Sequence, residues 1–584
     1  MSEIQPLLQV KNLITVFQTK REVIKAVNDV SFYLNKKEIL GVVGESGSGK
    51  SATALSIMQL LKPAEGRVES GKIIFTDNNK NTDLILLTEK EKQKFRGKDI
   101  AMIFQGPASS LNPVMNCGNQ VVEILRVCYG LNSKDAHNRT LELFKKVKLH
   151  EPEIVFNAYP HQLSGGQKQR VMIAIAISCN PSVLIADEPT TSLDVTAQAS
   201  IIKLLKHLQQ ENGMSIIFIT HDLGVVYGFA DRLLVMHRGK IVEEGITKEV
   251  FHHPVHPYTK GLLACRPALH MNLYKLPVIS DFMETDASGR LIEKLISVDE
   301  IRNSLNKNDA AEKIRSNNIY KEKPFISVTD ISVHFPVRHT ALRRNKDVIK
   351  AVSNVSFNIY KGETLGLVGE SGCGKSTLGK ALLNLVRTAN GDVQYLDRNL
   401  TALSVDEMRP LRKNLQLIFQ DPYSSLNPRL TAGDAIVEPM KEFSLYSNDN
   451  SRKEFAMHLL KKVGMDETHF KRYPHEFSGG QRQRIGIART LALNPEFIIC
   501  DECVSSLDVS VQAQVLNLLN DLKVEFGFTY LFISHDLSVV KFMSDRVMIM
   551  HQGQIVETGS TDELYANPKS EHTQKLIDAI PKLD

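Results

Sequence analysis

Short apolar runs of four or five residues recur along the chain, separated by longer amphipathic or polar stretches. In the first half these runs are Ile39–Val43, Val183–Ala186, Ile216–Ile219 and Leu233–Met236. Such runs are typical of strands buried on both faces of a parallel sheet, and the helix-like stretches between them indicate crossover connections. The pattern predicts an α/β domain with a mostly parallel sheet. Two mainly helical segments, each predicted to form a separable lobe, are residues 106–160 and 421–475.

The first of these runs leads into the sequence GESGSGKS at Gly44–Ser51, which fits the phosphate-loop pattern G-x-x-x-x-G-K-[ST]. A helix is predicted to follow over residues 51–58. Glycines allow backbone N–H groups to face phosphate oxygens, and the helix N-terminus adds a partial positive charge. We expect Lys50 to reach the β- and γ-phosphates of a nucleotide and the Ser51 hydroxyl to ligate Mg²⁺.

The chain contains this unit twice. The loop returns as GESGCGKS at Gly369–Ser376, so that Lys375 lies 325 positions after Lys50. Later motifs return at an offset of 315 or 314, and we expect the ten extra residues of the first copy in the polar stretch Asp77–Thr82. A period above 300 residues indicates two duplicated domains rather than a solenoid. The predicted division is a first domain over 1–266, a connector over 267–324 and a second domain over 325–584.

Length and composition argue against several classes of protein. A length of 584 residues requires more than one hydrophobic core. The net charge of +5 is small for this length and argues against a dedicated nucleic-acid-binding protein. Seven scattered cysteines indicate a reducing compartment. No apolar run approaches the roughly 18 residues of a membrane-spanning helix, and the N-terminus lacks the pattern of a signal peptide. We therefore expect a cytoplasmic chain whose membrane role runs through partners.

Further motifs follow each phosphate loop at matching spacing. Asp187 and Glu188 end one apolar run, and Asp501 and Glu502 repeat them. A carboxylate at a strand end beside a phosphate loop suits Mg²⁺, and a second carboxylate off the metal suits a base that polarises water. The remaining motifs are the glutamines Gln105 and Gln420, the segments Ser164–Gln167 and Ser478–Gln481, the segments Ser192–Asp194 and Ser506–Asp508, and the histidines His221 and His535.

Together these motifs resemble the nucleotide-binding domains of ATP-binding-cassette (ABC) transporters, over nearly all of the chain except the connector. The resemblance implies two tandem P-loop NTPase domains, each with a RecA-like core, an antiparallel β region and a helical subdomain. It implies catalytic roles for Glu188, Glu502, His221, His535, Gln105 and Gln420. It implies Mg²⁺ binding by Ser51, Gln105, Asp187, Ser376, Gln420 and Asp501. It implies ATP binding by Phe17, Gly44, Ser46, Gly47, Gly49, Lys50, Ser51, Ala52, Ser164, Gly165, Gly166 and Gln167 in the first half. The matching residues of the second half are Phe335, Gly369, Ser371, Gly372, Gly374, Lys375, Ser376, Thr377, Ser478, Gly479, Gly480 and Gln481.

In this family two domains pack head to tail, and each ATP lies between the phosphate loop of one domain and the signature segment of the other. The resemblance implies a first site of Lys50, Asp187 and Glu188 with Ser478 and Gly480. It implies a second site of Lys375, Asp501 and Glu502 with Ser164 and Gly166. Because neither set is degraded, two hydrolytically competent sites are expected.

More local segments resemble the ATPases of peptide and nickel importers, some of which, such as glutathione and microcin importers, fuse two domains. These segments are Phe419–Pro428, Tyr159–Leu163, Tyr473–Phe477 and His256–Leu263. The resemblance implies a subunit that hydrolyses ATP to energise the import of peptides or peptide-like solutes. It also implies two transmembrane permease partners, an extracytoplasmic solute-binding protein, and a peripheral position on the cytoplasmic face of the inner membrane.

Several residues depart from the importer pattern. Gly106 replaces the usual acidic residue after the glutamine, and Cys503 replaces the usual proline after the catalytic glutamate. Only Cys265 lies where some relatives hold a cysteine cluster, so no iron–sulfur cluster is expected. The tail of the second copy is reduced to Glu571-His572-Thr573. Cys373 lies in a phosphate loop at a helix N-terminus, where the pKa of a thiol tends to fall, and we expect its alkylation to block ATP binding.

The alternative is a soluble tandem cassette that acts on ribosomes, a class that carries a strongly basic helical arm between its halves. From Arg266 to Lys323 the connector holds ten Lys and Arg against nine Asp and Glu. This balance, together with the importer-like segments, favours the importer.

Overall fold

The protein is described here by a computed structural model. The described residues are 5–18, 22–62, 64–77, 80–191, 193–269, 271–285, 291–294, 298–306, 315, 318–336, 348–421 and 425–580. They form two compact units. The N-terminal unit is built on residues up to 263 and on 279–295, and the C-terminal unit on 264–278 and 296–580.

The strands of the N-terminal unit are β1 (Leu8–Gln18), β2 (Val23–Leu34), β3 (Ile39–Val43), β4 (Gly66–Asp77), β5 (Lys80–Asp83), β6 (Ile100–Ile103), β7 (Val183–Asp187), β8 (Ser215–Ile219), β9 (Arg232–His237), β10 (Lys240–Ile246), β11 (Met283–Thr285) and β12 (Leu291–Glu293). Its helices are α1 (Lys50–Ile57), α2 (Glu89–Phe95), α3 (Pro107–Ser110), α4 (Cys117–Tyr129), α5 (Ser133–Lys146), α6 (Pro152–Asn157), α7 (Gly165–Ile177), α8 (Val195–Asn212), α9 (Leu223–Phe229), α10 (Thr247–His252), α11 (Pro257–Ala264) and α12 (Ile279–Phe282). A 3₁₀ turn covers Pro160–Gln162.

The C-terminal unit repeats this order. Its strands are β13 (Ile326–Pro336), β14 (Val348–Ile359), β15 (Thr364–Val368), β16 (Asn390–Tyr395), β17 (Arg398–Asn399), β18 (Leu415–Ile418), β19 (Phe497–Asp501), β20 (Thr529–Ser534), β21 (Arg546–His551) and β22 (Gln554–Ser560). Its helices are α13 (Val298–Ser304), α14 (Lys375–Leu382), α15 (Val405–Met408), α16 (Ala432–Glu442), α17 (Asp449–Lys462), α18 (Gly479–Leu491), α19 (Val509–Phe526), α20 (Leu537–Met543), α21 (Thr561–Ala566) and α22 (Glu571–Asp578). Its 3₁₀ turns cover Leu400–Ala402, Arg409–Lys413, Glu467–Lys471 and Pro474–Glu476.

Each unit has a six-stranded sheet and a four-stranded antiparallel sheet. The larger sheet of the N-terminal unit has the order β10-β9-β3-β8-β7-β6 and is parallel except for β10, and the smaller has the order β2-β1-β4-β5. Central strand β3 is buried throughout, which explains its uninterrupted apolar run. Leu40 and Val42 pack in one hydrophobic cluster with α1, while Ile39 and Val43 pack in the other with the helical lobe. The predicted α/β class is confirmed.

The extra residues of the first copy are not all where the sequence predicted them. Strand β4 has twelve residues and its counterpart β16 has six. Ile73 and Val393 pair with Val10 and Val328 at equivalent positions of their sheets. They are 320 positions apart, so half of the ten-residue slip precedes Ile73. The prediction for Asp77–Thr82 is therefore wrong in part, because a longer antiparallel strand absorbed residues that looked like one loop.

The stretch predicted as a connector is partly folded. The described residues of 264–278 pack with the C-terminal unit, where the backbone of Leu276 exchanges two 2.8 Å hydrogen bonds with the side chain of Asn517. The described residues of 279–294 pack with the N-terminal unit, and the Lys260 ammonium lies 2.7 Å from the Glu293 carboxylate there. These polar contacts anchor parts of the charge-balanced stretch to the two units.

Each helical lobe depends on a glycine that packs against a phenylalanine. A Cβ on Gly433 in α16 would lie 2.4 Å from the ring of Phe470, and one on Gly118 in α4 would lie 2.1 Å from the ring of Phe156. We expect Gly433→Ala to lower the free energy of unfolding of the C-terminal unit by about 1–3 kcal/mol, since overpacking forces neighbours to move. Gly486→Ala, in a helix with open space, is the matched control and should be neutral or slightly stabilising. Equal melting temperatures of the two variants would contradict the assignment.

Candidate ATP site

The phosphate loops connect β3 to α1 and β15 to α14, as predicted. Gly49 and Gly374 have φ values of 105° and 108°, which favour glycine. A Cβ on Gly49 would lie 2.4 Å from the carbonyl oxygen of Ala26, and one on Gly374 would lie 2.2 Å from that of Ala351. The close approach of the backbone therefore excludes any side chain at these two positions.

The loop lysines are folded over their own loops. The Nζ of Lys50 donates to the carbonyl oxygens of Gly44 and Glu45 at 2.7 and 2.8 Å. The Nζ of Lys375 makes the same two bonds, to Gly369 at 2.8 Å and Glu370 at 2.9 Å. Both side chains are buried, which places a positive charge inside each loop.

The serine that follows each lysine is joined to the aspartate at the end of a core strand. The Ser51 hydroxyl donates to Oδ1 of Asp187 at 3.0 Å, and Ser376 donates to Oδ1 of Asp501 at 2.7 Å. Burial raises the pKa of Asp187 to about 6 against the opposing Ser51 hydrogen bond, and burial also raises the pKa of Asp501. A hydroxyl beside a buried carboxylate is an oxygen donor set that fits Mg²⁺. The positive charge of the ion would stabilise the ionised form of the buried aspartate.

The carboxylate of Glu188 contacts the other two catalytic candidates of the N-terminal unit, Gln105 and His221. Its carboxylate accepts hydrogen bonds from Nε2 of Gln105 at 2.8 Å and from the Thr191 hydroxyl at 2.9 Å. Nδ1 of His221 lies 3.4 Å away. Burial opposes ionisation, but the hydrogen bond and charge of His221 outweigh it and lower the pKa of Glu188 to about 2. The carboxylate is therefore ionised, and its partner raises the pKa of His221 despite burial.

The C-terminal unit gathers the equivalent residues. Gln420 donates to the Glu502 carboxylate at 2.8 Å, and Nδ1 of His535 lies 3.4 Å from it. Lys375 adds an ammonium 3.8 Å from the same carboxylate. Glu188 and Glu502 both have left-handed backbones, with φ of 49° and 47°. Such a conformation costs about 1–3 kcal/mol and persists where surrounding contacts impose it, which is common at functional sites.

The two glutamates differ in one hydrogen bond that the sequence analysis missed. Thr191 donates to the carboxylate of Glu188, whereas its counterpart Ser505 donates to the backbone carbonyl of Glu502 at 2.9 Å. Cys503, which replaces the usual proline, lies in this same turn. A hydroxyl residue three positions after each glutamate was the available signal, but the choice of acceptor depends on turn geometry.

The signature segments begin helices α7 and α18. Ser164 and Ser478 cap these helices by accepting from the backbone N–H of Gln167 and Gln481. Both serines are exposed, and a helix N-terminus favours an anion. The glycines that follow are unequal: a Cβ on Gly166 would meet nothing within 4 Å, whereas one on Gly480 would lie 2.3 Å from Cγ1 of Val511.

The other predicted ATP contacts lie near strand ends, in the phosphate loops and at helix starts. Phe17 is half-buried near the end of β1 and Phe335 is 40% exposed near the end of β13, so adenine stacking stays a prediction for both. Gly47 and Gly372 have open space around them. The remaining loop and helix-start residues, Ser46, Ala52, Ser371 and Thr377, lie in or directly after the phosphate loops. Gly165 and Gly479 begin the signature helices. Ser192 and residues 422–424 lie outside the described residues.

The expected fall in the pKa of the Cys373 thiol is wrong. Its side chain is only 8% exposed, and burial raises the pKa of the thiol although Lys375 opposes the shift. The loop fold encloses this side chain, which outweighs the favourable field of the helix N-terminus.

Within the described ranges, no helix combines the length and apolar character needed to cross a membrane.

Comparison with known proteins finds relatives that align with almost the whole chain. Residues 27–191 and 352–505 match the family described as ABC transporter, and residues 242–285 and 556–584 match the family described as oligopeptide/dipeptide transporter, C-terminal region. The Salmonella paratyphi A protein named glutathione import ATP-binding protein GsiA is 46% identical over 99% of this chain and 90% of its own length. The protein of the same name from Escherichia coli K12 is 45% identical over 98% of this chain and 89% of its own.

A solved dimeric ATP-binding cassette in a post-hydrolysis state with ADP and phosphate is 31% identical, covering 41% of this chain and 98% of its own, with a TM-score of 0.37. Two family matches, each containing a phosphate loop and an aspartate–glutamate pair, together span more than half of the chain. The chain therefore belongs to the ABC transporter family, as an ATPase with two fused ATP-binding domains.

Proposed function

We propose that the chain is the ATP-hydrolysing subunit of an importer for peptides or peptide-like solutes, with glutathione as the first candidate solute. The observation that carries the proposal is the near full-length similarity to glutathione import ATP-binding proteins. The match to the oligopeptide/dipeptide transporter C-terminal region at two places supports the same solute class. It favours the importer over a tandem cassette that acts on ribosomes.

Mg²⁺ would be held by Ser51 and Asp187 in the N-terminal unit and by Ser376 and Asp501 in the C-terminal unit. The ion would neutralise phosphate charge during transfer. Glu188 and Glu502 would polarise the attacking water. A carboxylate that is ion-paired with histidine is a weak proton acceptor, because its pKa lies far below neutrality. Release of the histidine towards the γ-phosphate would therefore make the glutamate a better base.

We also propose that the signature of each half acts on the ATP held by the other half. The exposed signature serines support this, because each helix N-terminus is presented at the surface of its own unit. Hydrolysis would then require residues of both halves at each site.

Two permeases and an extracytoplasmic binding protein are the proposed partners, with the chain peripheral on the cytoplasmic face of the inner membrane. A groove of about 530 Å³ in the C-terminal unit supports a permease contact. It is lined by Phe419, which is 45% exposed, and by Arg409, Glu442 and Arg489. An apolar permease segment bound in this groove would contact Phe419. Because Gln420 of the ATP site is the next residue, movement of that segment would shift Gln420.

The test is reconstitution of the chain with its permeases and binding protein in lipid nanodiscs. We expect glutathione or short peptides to raise the ATPase rate severalfold, and nickel complexes to leave it unchanged. The double variant E188Q/E502Q is the control for contaminating ATPases. A basal rate that no peptide or glutathione stimulates, in a complex that binds the solute, would contradict the proposed solute class.

A further inference from the structure

Three metal-binding side chains meet beside the phosphate loop of the C-terminal unit. They are Glu370, His551 and His572, and one donor atom of each lies within 4.8 Å of the other two. All three are half-buried. Glu370 is the second residue of the phosphate loop, His551 ends β21, and His572 lies in the first turn of α22.

The position of His572 is fixed by contacts that do not involve the cluster. Glu557 accepts hydrogen bonds from the backbone N–H groups of Lys569 and Ser570 at 2.8 and 3.0 Å, and from the Thr573 hydroxyl at 2.6 Å. These bonds secure the start of α22 from both sides of His572. The histidine is thus held at the loop before any ligand binds.

The two imidazoles have nitrogens available for a ligand. Their ring centroids are 3.9 Å apart. Nδ1 of His551 and Nε2 of His572 are buried and make no hydrogen bond to any part of the chain that the structure describes. Buried polar atoms normally have a partner, and a metal ion would supply one for both rings.

The N-terminal unit provides an internal comparison. The equivalent residues there are Glu45, His237 and Tyr258. The Tyr258 hydroxyl accepts a hydrogen bond from the backbone N–H of Glu45 at 3.0 Å, and its ring centroid lies 4.1 Å from that of His237, with the two planes tilted by 38°. A neutral phenol in place of an imidazole removes one of the three ligands.

We propose that Glu370, His551 and His572 bind one divalent transition-metal ion of the zinc class. Two imidazoles and a carboxylate are a donor set that suits Zn²⁺, with water in the fourth position. The site is distinct from the proposed Mg²⁺ site at Ser376 and Asp501. The ion would fasten the C-terminal helix α22 to the loop that holds the nucleotide, in the C-terminal half alone.

The experiment uses the full chain, stripped with a chelator and then titrated with Zn²⁺ alone and with Co²⁺ alone. We expect one equivalent of tightly bound metal per chain, a visible Co²⁺ spectrum of four-coordinate type, and a higher melting temperature with metal. The matched variant is His572→Tyr, which installs the residue of the N-terminal unit. We expect it to lose more than the roughly 10–100-fold affinity that an outer-shell change costs. The reverse change, Tyr258→His, is expected to raise the stoichiometry to two.

His551→Gln provides a second loss variant, and the melting temperature of each stripped variant reports whether it folds. Failure of the folded wild-type chain to bind one equivalent of Zn²⁺ or Co²⁺ would overturn the proposal. Equal affinity of wild type and folded His572→Tyr would also overturn it. Neither result bears on ATP hydrolysis, so the proposed importer function stands or falls separately.

Discussion

Replacing Glu188 or Glu502 by glutamine should stop hydrolysis at the ATP site that contains the changed residue and leave ATP binding there intact. Glutamine keeps an oxygen that can accept from Gln105 or Gln420, so the local packing is preserved, but the amide cannot take a proton from water. Loss of a general base typically costs about 10²–10⁴ in rate. Single-turnover ATP cleavage, with nucleotide binding measured in parallel, gives both quantities.

The two single variants also test whether both halves hydrolyse ATP. Because each unit assembles its own glutamate, glutamine and histidine, we expect either variant to lower the ATPase rate of the whole chain by at least about half, a fraction that follows from two working sites. A rate unaffected by one of the two changes would contradict two competent sites. Loss of ATP binding in a variant would show that the carboxylate holds the nucleotide rather than activates water.

An aspartate in the signature should be as damaging as loss of the base. Gly166→Asp would place a negative charge where a γ-phosphate approaches a helix N-terminus, and like charges at such short range repel strongly. We expect hydrolysis at one site to fall by about 10²-fold or more, the scale of losing an anion-stabilising group. ATP binding to the phosphate loop should persist. Gly166→Ala, which has open space for its Cβ, is the control and should stay close to wild type.

Gly480→Asp is expected to disable hydrolysis at Lys50 in the same way, but with a second effect. Its Cβ would lie 2.3 Å from Val511, so the variant should also lose stability. Gly480→Ala separates the two effects because it introduces the Cβ without the charge. If Gly480→Ala is as inactive as Gly480→Asp, the loss comes from packing and not from charge.

Much of the site was predictable because phosphate chemistry restricts the residues that can serve it. The boundaries of β3 agree with the apolar run before the loop, and the predicted helix after it begins within one residue of α1. Ser51 and Asp187 were assigned to one Mg²⁺ site from sequence, and their side chains are hydrogen-bonded in the structure. Such features can be predicted because they depend on neighbouring residues in the sequence or on the carboxyl end of a parallel strand.

The features that sequence could not provide depend on tertiary packing. The burial of Cys373 follows from how the loop closes, not from its neighbours in sequence. The unequal space at Gly166 and Gly480 depends on whether the next helix places a β-branched valine against the signature. The cluster around His572 joins three segments that are about 20 to 200 positions apart, and a single histidine in a shortened tail gave no sign of it.

We propose that each ATP is cleaved by catalytic residues of one half and the signature of the other. The most direct test compares two double variants, E188Q/G166D and E502Q/G166D, by the number of ATP molecules cleaved per chain in a single turnover. If each signature serves the other half, E502Q/G166D loses one site and still cleaves one ATP, whereas E188Q/G166D loses both sites and cleaves none. The reverse outcome, with cleavage by E188Q/G166D and none by E502Q/G166D, would contradict it by showing that each signature serves its own half.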